Sequence, residues 1–220
     1  MNEAPAVTPQ VQTLAEYIAG AATTPLPPEV LEKTKHHVLD TLAAMVSGTK
    51  LLPGKRAIAY ARGRGGVPEA SVVGTKILTT VETAALANGM LAHSDETDDS
   101  HAASQTHPGC GIVSAALAMA EREHRGGTPF LRAVALGYDV GTRFTMCLNA
   151  YEFREEGHST HSFGPTFGAA AAAGSLIRVD ARQARHLITY AGQQASGRGW
   201  VTSNTSRRRS TSAGCPRATA

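Results

Sequence analysis

The sequence has few cysteines, few aromatic residues and little net charge. Its three cysteines, Cys110, Cys147 and Cys215, are far apart and form no CxxC pair. This pattern argues against a disulfide framework and against a structural zinc site. The net charge is only +3, and part of it comes from the arginine run at residues 207–209. The charge therefore gives no indication of nucleic-acid binding.

Long apolar runs are also missing from these 220 residues. Residues 168–174 are among the longest, and they are mostly alanine, far short of the roughly 20 residues that span a bilayer. The N-terminus does not show a basic stretch followed by an apolar one, so no signal peptide is predicted. From the length we expect one domain, or one and a half, and from these missing segments no membrane association and a cytoplasmic location.

The remaining sequence is dominated by helical patterns. Thr8-Pro9 predicts a helix that ends near Gly20, and Pro27-Pro28 begins a longer one that ends at Gly48. A weaker helix is predicted over 55–66, and "ASVVG" at 70–74 is the only compact β-like run. Further helices are expected from about 79, over 111–124, from 128 towards 146, over 166–177, and from a cap at 180 to about 195. The predicted fold class is an all-α helical bundle.

An acidic and histidine-rich segment, "AHSDETDDSHAASQTHPGCG" at 92–111, falls between two of these helices. It permits three interpretations: a solvated loop whose carboxylates cap the next helix, a manganese or iron site, or a histidine acid/base held by a carboxylate. No closed ligand pattern such as HExxH is present. Pro108 and Gly109 directly after His107 favour the acid/base interpretation, although composition alone leaves all three open.

A second concentration of histidines lies in "EEGHSTHSFGPTFGAAAAAG", residues 155–174. His158 and His161 come just before a helix rich in small residues. The start of such a helix offers free backbone N–H groups to an anion. The alternative is that both histidines are exposed loop residues and that the glycines serve helix packing.

Together these segments resemble the MmgE/PrpD family, which includes 2-methylcitrate dehydratase, cis-aconitate decarboxylase and iminodisuccinate epimerase. The resemblance rests on "LANGMLAHSDETDDSHAASQTHPGCGIVSAALAMAE" (86–121) and "HSTHSFGPTFGAAAAAGSL" (158–176). It is supported by "VLDTLAAMVSG" (38–48) and "GQQASG" (192–197). The combination of a D-D-[ST]…HP block with an FGAAAA block is specific.

The resemblance implies an enzyme that works without metal or organic cofactor. Its members move a proton next to a carboxylate of a small polycarboxylic acid, with loss of water, loss of carbon dioxide or inversion. They carry a helical domain and a smaller α+β lid domain, and they form homodimers. For this chain the resemblance implies a small polycarboxylate substrate, a homodimer, and neither nucleic acid nor membrane as a partner.

Site residues also follow from the resemblance. His107 matches the histidine of the HP motif and is assigned the acid/base or substrate-polarising role, with Asp98 and Asp99 orienting it. The other candidates are listed together here: Glu96, where many members have aspartate, either His158 or His161 as the second histidine, and Ser100, Thr106 and Gly109 as substrate-binding residues.

The resemblance stops near Trp200. Residues 201–220, "VTSNTSRRRSTSAGCPRATA", are rich in Ser, Thr and Arg and predict a disordered tail. One choice of codons for this tail, read from the third base, gives DIEHVEKAFDFGGMPARNG, which is similar to the lysine-containing continuation of family members. We therefore expect a frameshift near Val201, an all-helical domain over 1–200, an absent lid domain and low activity.

Two alternative functions remain from the sequence. One is a non-catalytic helical fragment or pseudogene product, which would associate only with itself or with full-length relatives. The other is a metal-dependent hydrolase that uses the His/Asp cluster.

Overall fold

The computed structural model describes residues 7–197, so the predicted boundary at residue 200 and the tail 201–220 lie outside the described residues. Within that range the chain forms nine α-helices and one small sheet, which confirms the predicted all-α fold. The elements are α1 (Pro9–Ala21), α2 (Pro28–Gly48), α3 (Leu52–Arg64), β1 (Ala70–Ser71), β2 (Leu78–Thr79), α4 (Val81–Ala92), a 3₁₀ turn (Ala102–Ser104), α5 (Pro108–Arg122), α6 (Gly127–Cys147), α7 (Ala150–Glu155), α8 (Thr160–Leu176) and α9 (Ala181–Gln194).

Local capping explains the helix starts that the sequence predicted well. The Thr8 side chain accepts the Val11 N–H at the start of α1. Asp180 begins α9 with a capping box, in which its carboxylate accepts the Gln183 N–H and the Gln183 side chain accepts the Asp180 N–H. The two strands pair antiparallel, with Ala70 opposite Thr79, so the predicted β-like run is part of a very short hairpin.

Four predicted helix starts were wrong, and α7 was not predicted. Helix α5 starts at Pro108 rather than residue 111, because proline is favoured at the first helical position. Helix α3 starts at Leu52 rather than residue 55, because its proline falls in the first turn, where no N–H is needed. Helix α6 starts at Gly127, so Thr128 is not its cap. Helix α8 starts at Thr160, six residues earlier than predicted, because the Ser159 side chain accepts the Ser162 N–H and caps it there.

Helices α6 and α8 lie at the centre of the molecule. One core cluster joins them to α2, α3, α4 and α5, and a second joins them to α1 and α9. Within residues 7–197 no helix combines the length and apolarity that crossing a bilayer requires.

Paired glycines allow the backbones of α6 and α8 to approach closely. A Cβ on Gly141 would lie 2.7 Å from the Gly164 carbonyl oxygen, and a Cβ on Gly164 would lie 2.8 Å from the Gly141 oxygen. One helical turn away, a Cβ on Gly137 would lie 2.9 Å from the Gly168 oxygen. These separations are too short for any side chain, so the crossing requires glycine at both helices. The crossing fixes where the first turn of α8 lies.

Substitution at this crossing should destabilise the fold. We expect Gly141→Ala to lower the free energy of unfolding by about 1–3 kcal/mol, because the added methyl group overlaps backbone rather than a movable side chain. The matched control is Gly20→Ala in α1, whose Cβ would have nothing within 4 Å. It should leave stability unchanged or raise it by up to about 1 kcal/mol. Urea denaturation checks both, and equal stability of the two variants would contradict the close crossing.

Candidate active site

The loop between α4 and α5, residues 93–107, folds back on itself and is held against the start of α8. The His101 N–H donates to the Thr106 carbonyl at 2.9 Å, which forms an isolated antiparallel bridge. The hydroxyl of Thr160, the first residue of α8, donates to the Gln105 carbonyl. The acidic segment is therefore an ordered loop, placed where the sequence predicted it, with the second histidine-rich segment beside it.

Asp99 is the most heavily hydrogen-bonded carboxylate of this loop. Its Oδ2 accepts the Tyr138 hydroxyl at 2.7 Å and lies 2.9 Å from His37 Nδ1, while its Oδ1 accepts the Gly109 N–H at 2.9 Å. Burial raises the pKa of Asp99, but the hydrogen bonds from His37, Tyr138 and Gly109 outweigh burial and hold the pKa below its ordinary value. The Asp99 carboxylate therefore ties α2, α5 and α6 to the loop, and its hydrogen bonds favour the charged form.

The carboxylate of Asp98 lies closer to the His93 ring than to the His107 ring. His93 Nδ1 lies 3.1 Å from both carboxylate oxygens of Asp98, whereas His107 Nδ1 is 3.8 Å from Asp98 Oδ1. The Asp98 carboxylate is fully buried and the His93 ring is 41% exposed. The hydrogen bond to Asp98 raises the pKa of His93 against the opposing effect of burial. Glu96, with a left-handed φ of 58°, lies 3.7 Å from His93 Nε2 at the exposed edge.

The tautomer of His107 follows from its contact with the loop backbone. His107 Nδ1 is 2.9 Å from the Asp99 carbonyl oxygen. A carbonyl can only accept, so Nδ1 carries the proton and Nε2 of the neutral ring keeps its lone pair. The sequence predicted that a carboxylate would orient this histidine. In the structure the Asp99 backbone does so, with the Asp99 side chain holding that backbone in place.

His161 is the histidine that the structure brings to His107. The two rings stack with centroids 4.8 Å apart. The backbone N–H of His107 donates a hydrogen bond to Nδ1 of the His161 ring at 3.2 Å. Because Nδ1 accepts, the neutral His161 ring carries its proton on Nε2. Burial, and then the neighbouring His107 and His93, lower the pKa of His161. His158 lies elsewhere, exposed and stacked on Phe153 at 4.6 Å.

The remaining predicted residues lie in the same loop but in different surroundings. Ser100 is exposed. The Thr106 hydroxyl is buried and lies 2.7 Å from the Ser104 hydroxyl. The Gly109 N–H is taken by Asp99, and a Cβ there would lie 2.7 Å from Asp99 Oδ1. Their assignment as substrate-binding residues stays a prediction, and for Thr106 and Gly109 the observed contacts support the loop itself.

Two residues of the site were missed by the sequence analysis. His37 lies on α2 and Tyr138 on α6, 62 and 39 positions from Asp99. Neither belongs to a motif. The one available signal was the polar Thr34 and Thr41 within the apolar stripe of α2, both of which are buried. Buried polar residues on the apolar face of a helix indicate that a polar group of another element packs against that face.

One group within residues 7–197 has the donor atoms for a metal ion. Nitrogen, oxygen and sulfur ligand atoms of His93, Asp98 and Cys110 all lie within 4.8 Å of one another. The Cys110 thiol donates to the His107 carbonyl at 3.3 Å. Burial, and then the charge of Asp98, raise the pKa of this thiol far above its ordinary value.

The anchoring of Asp99 can be tested through stability. We expect Tyr138→Phe to lower the free energy of unfolding by about 1.5–3 kcal/mol, because it removes a hydrogen bond to a buried charge. Tyr190→Phe is the matched control, since the side chain of Tyr190 is 65% exposed, and it should change stability by less than about 0.5 kcal/mol. Urea denaturation measures the free energy of unfolding of both variants. A similar loss of stability in both would contradict a stabilising role for the Tyr138–Asp99 hydrogen bond.

Comparison with known proteins identifies the family of the chain. The sequence model of the MmgE/PrpD N-terminal domain matches residues 12–218, a range that extends into the predicted tail. The chain is also similar to a cis-aconitate decarboxylase-like protein of Aspergillus oryzae, with 27% identity over 194 residues. That alignment covers 84% of this chain and 40% of the relative, so the chain spans less than half of the relative's length. Because the family match covers most of its residues, the chain belongs to the MmgE/PrpD family.

Proposed function

We propose that this chain carries the proton-transfer site of a lyase or isomerase that acts on a small polycarboxylic acid. The observation that carries the proposal is the stacked pair of His107 and His161. The hydrogen bonds at their Nδ1 atoms leave a bare Nε2 on one ring and an Nε2–H on the other. Two adjacent neutral imidazoles in opposite tautomers present a proton-accepting nitrogen beside a hydrogen-bond-donating N–H, an arrangement suited to proton transfer.

In the proposed reaction, His107 Nε2 takes a proton from the carbon next to a substrate carboxylate and becomes an imidazolium. In a dehydration, the electron pair of the broken C–H bond expels a β-hydroxyl, which takes that proton back from His107 and leaves as water, while the His161 Nε2–H donates a hydrogen bond to the departing oxygen. In an inversion, the carbanion takes a solvent proton on the opposite face, and His107 gives its proton to solvent. In a decarboxylation, the C–C bond breaks, carbon dioxide leaves, and a His107 ring that has first taken up a solvent proton gives that proton to the carbon.

Substrate carboxylates need a cation, and His93 is the nearest candidate. Its raised pKa favours the imidazolium form, and its partly exposed ring lies beside His107, with centroids 5.5 Å apart. In this proposal Asp98 keeps His93 charged, and His93 holds a carboxylate at the mouth of the site. This arrangement accounts for Asp98 being buried under a histidine that is not itself the base.

Full turnover is proposed to need further groups. The cis-aconitate decarboxylase-like relative is more than twice the length of the matched region, and one choice of codons for residues 201–220, read from the third base, would encode a family-like lysine segment. The frameshift and the domain boundary at 200 are proposals, and DNA sequencing through the codons for residues 200–220 tests them. The protein translated in the restored frame should then turn over faster than the 220-residue chain.

The two histidines of the second segment provide a matched pair of variants. With cis-aconitate and 2-methylcitrate as substrates, His161→Gln should lower turnover, or deuterium exchange at the substrate carbon in D₂O, by at least about 100-fold. His158→Gln changes the same residue type three positions away, without contact to His107 in the structure, and should leave the rate within about twofold.

Proton NMR of the substrate measures both rates. Equal rates for the two variants would refute the His107–His161 pair. A complete lack of turnover and exchange in the wild-type chain and in the frame-restored protein would instead favour the non-catalytic alternative.

A further inference from the structure

We propose that His93, Asp98 and Cys110 form a zinc-binding site in this chain. Their three ligand atoms lie within 4.8 Å of one another. Zinc bonds of about 2.0–2.3 Å at tetrahedral angles place ligand atoms roughly 3.3–3.8 Å apart. Closing the observed group onto an ion therefore takes shifts of about 1 Å, which side-chain rotations supply.

The three donor types select the metal. An imidazole, a carboxylate and a thiolate together suit zinc, whereas magnesium and calcium prefer sites made of oxygen alone. The charges also balance once the ion displaces the Cys110 thiol proton to solvent, since Asp98 and the resulting Cys110 thiolate carry two negative charges against Zn²⁺. A neutral site is acceptable at a place where the Asp98 carboxylate is fully buried.

The site has an entrance and a rigid base. The 41% exposed His93 ring lies at the surface, so an ion can reach the buried carboxylate past it. Cys110 lies in the first turn of α5, directly after Gly109, whose N–H is fixed by Asp99. Asp98 and Cys110 are therefore next in sequence to the hydrogen-bonded pair Asp99 and Gly109. The third ligand, His93, lies at the C-terminal end of α4.

This inference rests on side-chain geometry and not on the proposed reaction, so the binding test does not depend on turnover. Its consequence for the proposed reaction is competition: zinc would occupy the Asp98 and His93 groups that hold a substrate carboxylate. Zinc and substrate would then exclude one another.

Cobalt(II) is the probe, because a cobalt–thiolate bond gives a charge-transfer band in the near ultraviolet. The protein to titrate is the Cys147→Ser/Cys215→Ser double variant, in which Cys110 is the only remaining thiol of the three. We expect the band to saturate at one equivalent of cobalt and to disappear when zinc is added. No band, or a band that zinc does not displace, would overturn the proposal.

Two further variants, made in the same background, locate the site. Cys110→Ser should abolish the band, and His93→Gln, which keeps the thiol, should weaken cobalt and zinc binding at least tenfold. Far-ultraviolet circular dichroism establishes that each variant keeps its helical content, so that loss of binding is not loss of fold. Unchanged affinity in a folded His93→Gln variant would contradict the assignment of His93.

Discussion

The candidate site depends on the hydrogen bonds of one carboxylate, that of Asp99. Asp99 takes hydrogen bonds from the side chains of α2 and α6 and from the first turn of α5, while its own carbonyl fixes the His107 ring. One residue thus joins three helices and sets the tautomer of the HP-motif histidine. Because this carboxylate is largely removed from water, loss of any one partner leaves part of its charge without a hydrogen bond and costs stability.

The second histidine depends on helix packing rather than on charge. His161 is the second residue of α8, and the position of α8 is set by the glycine crossing with α6. Helix α6 also carries Tyr138, which holds Asp99. Packing between α6 and α8 therefore helps to position both His107 and His161, although the glycines at the crossing carry no reactive group.

Local signals were enough to predict much of the fold. The caps at Thr8 and Asp180 depend on neighbouring residues only, and the HP motif located the site within one loop. The start of α8 was misplaced because the glycines and Pro165 looked like a helix entry, whereas Ser159 caps the helix earlier. With the start at Thr160, only one of the two nearby histidines reaches His107. The His37 and Tyr138 contacts join residues far apart in sequence, and no local pattern reports such a pairing.

The central claim is that the Asp99 backbone holds His107 in the Nδ1–H form, with Nε2 free to accept a proton. Nitrogen-15 NMR of the histidine side chains, with His107 assigned by its absence in His107→Gln, tests this claim directly. The account predicts a protonated Nδ1 and an unprotonated Nε2 for His107 in the metal-free chain at a pH where the ring is neutral. An Nε2–H tautomer, or an equal mixture of the two, would contradict it.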